Sequence, residues 1–225
     1  VEQASTGLLW STPIATAAND SAGRLSISGE QIVVGESISA TDGVWGNAQV
    51  EAFERRTGIS QWQVNFGSAD KTYIAAVAHA PDGSIFVTGG TREVLNGQTY
   101  GGAADGWISK LSRTGQVLWT KNFSNQLEDD LSNLVVDSYG NAYMAGGVSR
   151  YGYRSGSGHF MSDYNYLGGD QSYGGSSFTG NWMSAIRKVD ADGNAVWTRV
   201  DGSFNSGGGG LTIDPGLRVI KSSYT

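Results

Sequence analysis

The 225-residue chain holds seven Trp, ten Tyr and seven Phe beside 34 Gly and only 3 Pro, which is too much apolar ring area for a disordered linker. Its net charge of −6 excludes the basic face that nucleic-acid phosphates need, and no run of 18 apolar residues offers membrane insertion as a helix. The absence of cysteine excludes disulfides, thiol chemistry and zinc sites built on Cys.

The chain opens at Val1 with neither an initiator Met nor an export segment, which reads as a processed secreted chain or a piece of a longer one. Val1–Gln3 reads as the tail of a strand, followed by a strand at Leu8–Ile14 that carries Trp10 just after Gly7. Gly29-Glu-Gln-Ile-Val-Val-Gly35 then joins a turn glycine to an apolar strand, and Gly58-Ile-Ser-Gln-Trp62 returns to the first motif. A strand at Ile74–Ala78 leads through Asp82-Gly83 to another at Ile85–Thr88. Strands at Trp107–Leu111 and Val117–Phe123 flank Thr114-Gly115, and the second carries Trp119. Leu131–Asp137 and Ala142–Ala145 flank Tyr139-Gly140 in the same way. Ala185–Val189 and Ala195–Val200 flank Asp192-Gly193 and bring Trp197, and Leu211–Asp214 runs to a looser copy of the turn at Gly216. Polar and apolar residues alternate over these short runs, whereas no stretch keeps a 3.6-residue apolar period, so almost no helix is expected.

The two motifs interleave at nearly fixed spacing. From each Trp to the next turn glycine the count is 19 (10 to 29), 21 (62 to 83), 21 (119 to 140) and 19 (197 to 216). A four-stranded unit recurring at roughly 50 residues predicts an all-β fold, a β-propeller of four-stranded antiparallel blades. The repeat units run from about 1–36, 37–90, 91–148 and 149–225 in one domain, with a long insert at about 149–181. Trp10, Trp62, Trp119 and Trp197 are the structural repeat residues, expected to pack between neighbouring blades. The pattern starts and ends inside a unit, so the chain either closes a small ring with one mixed blade or belongs to a larger propeller. An unclosed arc would expose edges to partner subunits.

The stretch Asp105–Gly147, with Asp-Gly-Trp-Ile-Ser-Lys-Leu, Gly-Gln-Val-Leu-Trp-Thr-Lys-Asn-Phe and Leu-Val-Val-Asp-Ser-Tyr-Gly-Asn-Ala-Tyr-Met-Ala-Gly-Gly, resembles the bacterial β-propeller repeat family called SBBP. That resemblance implies a secreted or cell-surface protein whose repeats carry no catalytic residues. Ala52-Phe-Glu-Arg-Arg-Thr57-Gly58-Ile-Ser-Gln-Trp62 is also similar to the tryptophan-docking repeat of quinoprotein dehydrogenases, but the other three copies lack its Ala and Thr. Those enzymes also need acidic calcium ligands that have no counterpart placed here.

Variable length falls in the connection between the second and third strands. Its glycine-to-glycine spacing is 23 (35 to 58), 26 (89 to 115) and 47 (146 to 193), which gathers long loops on one face. The longest loop holds Tyr151, Tyr153, His159, Phe160, Tyr164, Tyr166, Tyr173 and Phe178 among Gly and Ser, a composition suited to stacking on a sugar or a protein surface, or to tucking onto the blade beneath. No nucleophile elbow, Gly-Lys phosphate loop or paired zinc histidines occur, and His79 at a strand end reads as structural. The acidic run Glu128-Asp129-Asp130 could hold calcium, whereas Asp190-Ala-Asp192-Gly193 lacks the later ligands of a calcium loop and reads as a turn; no cofactor is expected otherwise. These readings favour a non-catalytic extracellular module that binds a glycan or protein. The rivals are an assembly subunit and, behind it, a quinoprotein-like or polysaccharide-active enzyme.

Overall fold

The computed structural model describes residues 10–12, 19–39, 47–68, 71–98, 104–123, 129–149, 182–204, 207–214 and 216–224. Among them the secondary structure is all strand, and no helix is long and apolar enough to cross a membrane. The first sheet is β1 (Asn19–Ser28), β2 (Gln31–Ser39), β3 (Asn47–Glu54) and β4 (Ser60–Phe66), paired in that order. The second is β5 (Thr72–His79), β6 (Ile85–Thr91), β7 (Asp105–Leu111) and β8 (Val117–Phe123). The third is β9 (Asp129–Val136), β10 (Ala142–Ser149), β11 (Trp182–Val189) and β12 (Ala195–Phe204). Two strands follow, β13 (Gly207–Ile213) and β14 (Val219–Tyr224), as a hairpin. Every pairing is antiparallel.

The hydrogen-bonded sheets are offset by half a unit from the sequence repeats, because a sheet starts at the strand that follows a Trp-bearing one. Of the strand expected at Leu8–Ile14, Trp10–Thr12 are described and lie outside any strand. The remainder of that stretch, like Val1–Gln3, lies outside the described residues.

One five-residue turn recurs at one end of the sheets. Its first residue donates its N–H to the fifth carbonyl, and the fourth donates back to the first, as in Ala80–Ser84, Ser112–Gln116, Asp137–Asn141, Asp190–Asn194 and Asp214–Arg218. The fourth position has positive φ, 82° at Gly83, 85° at Gly115, 80° at Gly140 and 82° at Gly193. In the last copy the sequence reading assigned the turn glycine to Gly216, but the geometry corrects this: Leu217 takes the positive φ, at 61°. The turn is counted from its capping carboxylate at Asp214, and the glycine falls one residue short. In the first sheet the β3–β4 turn has one residue more, closed by Glu54 N–H to Ile59 O at 2.8 Å, and Glu replaces the shorter cap.

Sheets pack face to face in series. The core between the first and second sheets gathers Val33, Val50, Phe66, Ile74, Val87 and Trp107. The next core gathers Phe86, Ile108, Leu131, Leu134, Met144 and Val189. The second sheet is covered on both faces, so β6 and β7 are buried at every position and lose the alternation expected of half-exposed strands. The fourth strand of the first sheet, β4, keeps it.

Tryptophans tie each sheet to the next. Trp62 Nε1 donates to Arg113 O at 2.9 Å, and Trp119 Nε1 to Ala191 O at 3.3 Å, each acceptor being the second residue of the following sheet's last turn. Trp10 Nε1 makes the same bond to Arg55 O at 2.9 Å. Each ring lies on the turn glycine: a Cβ at Gly58 would come within 2.4 Å of Trp10, at Gly115 within 2.7 Å of Trp62 and at Gly193 within 3.0 Å of Trp119. Glycine is therefore required twice over, for its positive φ and for the room it leaves.

Candidate functional site

Antiparallel pairing divides the connections between two ends. The tight turns share one end. The other carries the connections 40–46, 92–104 and 150–181, with the sheet-to-sheet links 67–71, 124–128 and 205–206.

At the tight-turn end the carboxylates are engaged by their own turns. Asp190 Oδ1 accepts the N–H groups of Asp192 at 3.0 Å and Asn194 at 2.8 Å, and Oδ2 accepts the Asn194 amide at 2.9 Å. Asp137 Oδ1 accepts Tyr139 and Asn141 N–H, both at 2.9 Å, while Oδ2 accepts the Asn141 amide at 2.8 Å and the Tyr143 hydroxyl at 3.0 Å. The Asn194 side chain above all holds Asp190 below the ordinary carboxyl range. Burial would raise Asp137, but the donors from Asn141, Tyr143 and Tyr139 outweigh it and hold it low. Asp190 thus caps its own turn, with three N–H donors directed at its carboxylate.

His79 lies at the end of β5 against the first sheet. Its Nδ1 is 2.9 Å from the Ser26 hydroxyl and its Nε2 3.4 Å from Gln31 Oε1. Burial first, and the Arg113 charge second, lower its pKa and keep it neutral. It bridges two sheets, the structural role read from the sequence.

The long-connection end is built differently, around polar side chains drawn inward. Glu93, just beyond β6, accepts the Ser68 N–H and the Ser68 hydroxyl, the latter at 2.6 Å, and the Thr72 hydroxyl at 3.1 Å. Thr72 in turn lies 3.1 Å from the Thr91 hydroxyl, and both are fully buried. Glu93 thereby fastens the link 67–71 to the connection 92–104. Burial would raise its pKa, but the Ser68 donors prevail and keep it ionised. Ser37 Oγ accepts the Ile74 N–H at 3.1 Å, and the carboxylates of Glu36 and Asp105 are buried at the same end. Leu95 is buried in the core, and Asn96 Nδ2 donates to Thr120 Oγ1 at 2.9 Å, so 92–98 folds back along the sheet. This network escaped the sequence reading, because a lone Glu and scattered Thr and Ser carry no spacing signal.

The aromatic candidates Tyr151, Tyr153, His159, Phe160, Tyr164, Tyr166, Tyr173 and Phe178 lie outside the described residues. The base of their loop is fixed: Ser149 and Trp182 are paired directly across β10 and β11, so both ends of the aromatic segment start from one rung of the third sheet. Glu128 and the side chains of Asp129 and Asp130 also lie outside the described residues, although the latter two backbones pair with Val148 and Gly147 within β9–β10. Among the described residues no group of three or more His, Asp or Glu is placed to hold a metal ion.

No family model matches the chain, and no curated protein matches it by sequence. Among solved structures it is similar to a protein of unknown function from Bacteroides caccae, crystallised at 1.35 Å resolution, with a TM-score of 0.51 at 10% identity over 94% of this chain. The match takes in 55% of that protein, so the chain spans little more than half its length. At this identity the likeness is one of fold, and the chain is an all-β protein of antiparallel sheets, three of them four-stranded.

Proposed function

We propose that the chain is an arc of a β-propeller of the SBBP type, acting outside the cell as a non-catalytic module that grips a glycan or a protein through its long-connection end. The observation that carries the reading is the division of labour between the two ends. Tight turns at one end are consumed by capping bonds and by tryptophans of the preceding sheet. The connections that vary in length all leave from the other end, where a contact surface can change without disturbing the sheets. The buried Thr72–Thr91–Glu93 network stiffens the base of that surface, and the Tyr-rich segment strung between Ser149 and Trp182 supplies flat amphipathic rings with few rotors to immobilise.

Replacing residues 152–178 by a short Gly-Ser bridge tests this on a glycan array and an extracellular-protein panel. The expected outcome is loss of the wild-type binding signal with an unchanged far-UV spectrum and melting temperature. Full binding by the shortened chain would overturn the assignment of the surface.

A further inference from the structure

Trp107 of β7 is the largest wholly buried side chain among the described residues. It stands in the core between the first and second sheets, its ring 4.9 Å from that of Phe66. The indoles of Trp10, Trp62 and Trp119 each donate to a turn carbonyl. The Trp107 N–H is buried with its ring, and among the described residues no atom accepts from it. A buried donor left so costs about 1–3 kcal/mol, which calls for a partner.

The strand register shows which oxygens surround that N–H. β7 pairs without a bulge with β6 and β8 from Asp105 to Lys110, so Asp105 turns to the same face as Trp107. Asn122 stands directly opposite Trp107 on β8, and Thr91 directly opposite Asp105 on β6, both on that face. Asp105 Oδ1 and Asn122 Oδ1 are buried atoms, and both residues have other interactions besides. Side chains directly opposed across a pair begin about 5 Å apart, and those two residues apart along a strand about 7 Å. The indole reaches neither oxygen, but one small molecule among them touches all three groups.

The third sheet supplies a contrast at the same rung. Ala185 is opposite Gly146 and Val200, as Trp107 is opposite Gly89 and Asn122. Met183 and Val200 thus hold the places of Asp105 and Asn122 in the register. Where the indole N–H is replaced, the carboxylate and the amide are replaced with it.

We propose that a single internal water molecule sits between the first two sheets, accepting from Trp107 Nε1 and donating to Asp105 Oδ1 and Asn122 Oδ1. Its chemistry matches the group: a metal ion cannot accept from an N–H, and an anion without a hydrogen cannot donate to two oxygens. Three polar partners are also what a buried water ordinarily has. Because Thr91 faces Asp105, the water carries the Thr72–Thr91–Glu93 network one step inward, from the base of the long-connection end to an indole of the core. The inference does not depend on what that end binds.

Nuclear magnetic resonance on the 225-residue chain with labelled indole nitrogens tests it, Trp107→Phe marking the Trp107 signal among the seven indoles by deleting it. A cross-peak between Trp107 Hε1 and water is expected, with the sign of a long-lived contact. Asn122→Val, which copies the residue at that rung of the third sheet, should lose it. A crystal structure at high resolution separates water from a hydroxyl that exchanges with solvent: density for one water about 2.7–3.2 Å from Trp107 Nε1 is expected, and this reading needs no variant. Absence of the cross-peak in the wild type would overturn the proposal, as would its persistence in Asn122→Val or a crystal structure in which Nε1 donates to a protein oxygen.

Discussion

At the scale of single residues the recurring turn shows how a side chain is selected by one dihedral angle. Four of its five copies place glycine where φ is near 80°, and the fifth places Leu217 at 61°. The left-handed region costs a leucine about 1–2 kcal/mol, because Cβ crowds the following carbonyl. The side chain is 38% exposed, so it recovers little by packing. Leu217→Gly therefore relieves strain, set against the extra freedom glycine gives the unfolded chain, and a net gain of about 0.5–1 kcal/mol is expected. The midpoint of urea unfolding should rise accordingly; a lower midpoint would mean that the leucine packs more than its exposure implies.

At the scale of elements the unit of cohesion is the joint between a tryptophan and the next sheet's turn. Trp119 is half-buried, so Trp119→Ala is expected to cost about 2 kcal/mol, roughly half of what a fully buried tryptophan gives up. Trp119→Phe keeps most of the ring contact and loses the bond to Ala191 O, for about 1 kcal/mol. Gly193→Ala strains the turn and drives a methyl against the same ring. In the Trp119→Ala background the second penalty vanishes, so the double variant should be less destabilised than the sum of the two singles. Strict additivity in chemical denaturation would show that ring and glycine are not coupled.

For the whole molecule, pH dependence follows from the turn caps. Glu54, Asp82, Glu93, Asp137, Asp190 and Asp214 all have carboxyl pKa values lowered by donors that persist only in the fold. A lowered folded value means the unfolded chain binds protons first. The stabilisation is therefore complete above the ordinary carboxyl range near pH 4 and is lost as pH falls through the folded values. His79 has the same sign, since burial lowers its pKa, but its loss begins earlier, as pH falls below about 6.5. The melting temperature should be flat above about pH 7, decline slightly towards pH 5 and drop steeply below pH 4. His79→Gln should remove the shallow step and leave the steep one, and a melt that stays flat down to pH 3 would contradict the capping account.

The sequence by itself determined the strands of the second and third sheets, their antiparallel order and the end at which their connections lie, whereas β1 and β3 carried no signal that was read. Backbone turns at Gly83, Gly115, Gly140 and Gly193 are local chemistry, and the interval between Trp and glycine fixes the length of chain between them. Those quantities depend on neighbours in sequence, so they can be read without a fold. Tertiary structure alone decided where the indoles point, which carbonyl each one finds, and that Glu93 closes on Ser68 and Thr72. Those partners lie tens of residues apart: the indoles meet theirs because one sheet is laid on the next, and Glu93 meets Thr72 because β5 and β6 pair. The misplaced turn at Gly216 marks the boundary: the composition of the segment promised a glycine turn, but register with Asp214 put the left-handed residue one step further on.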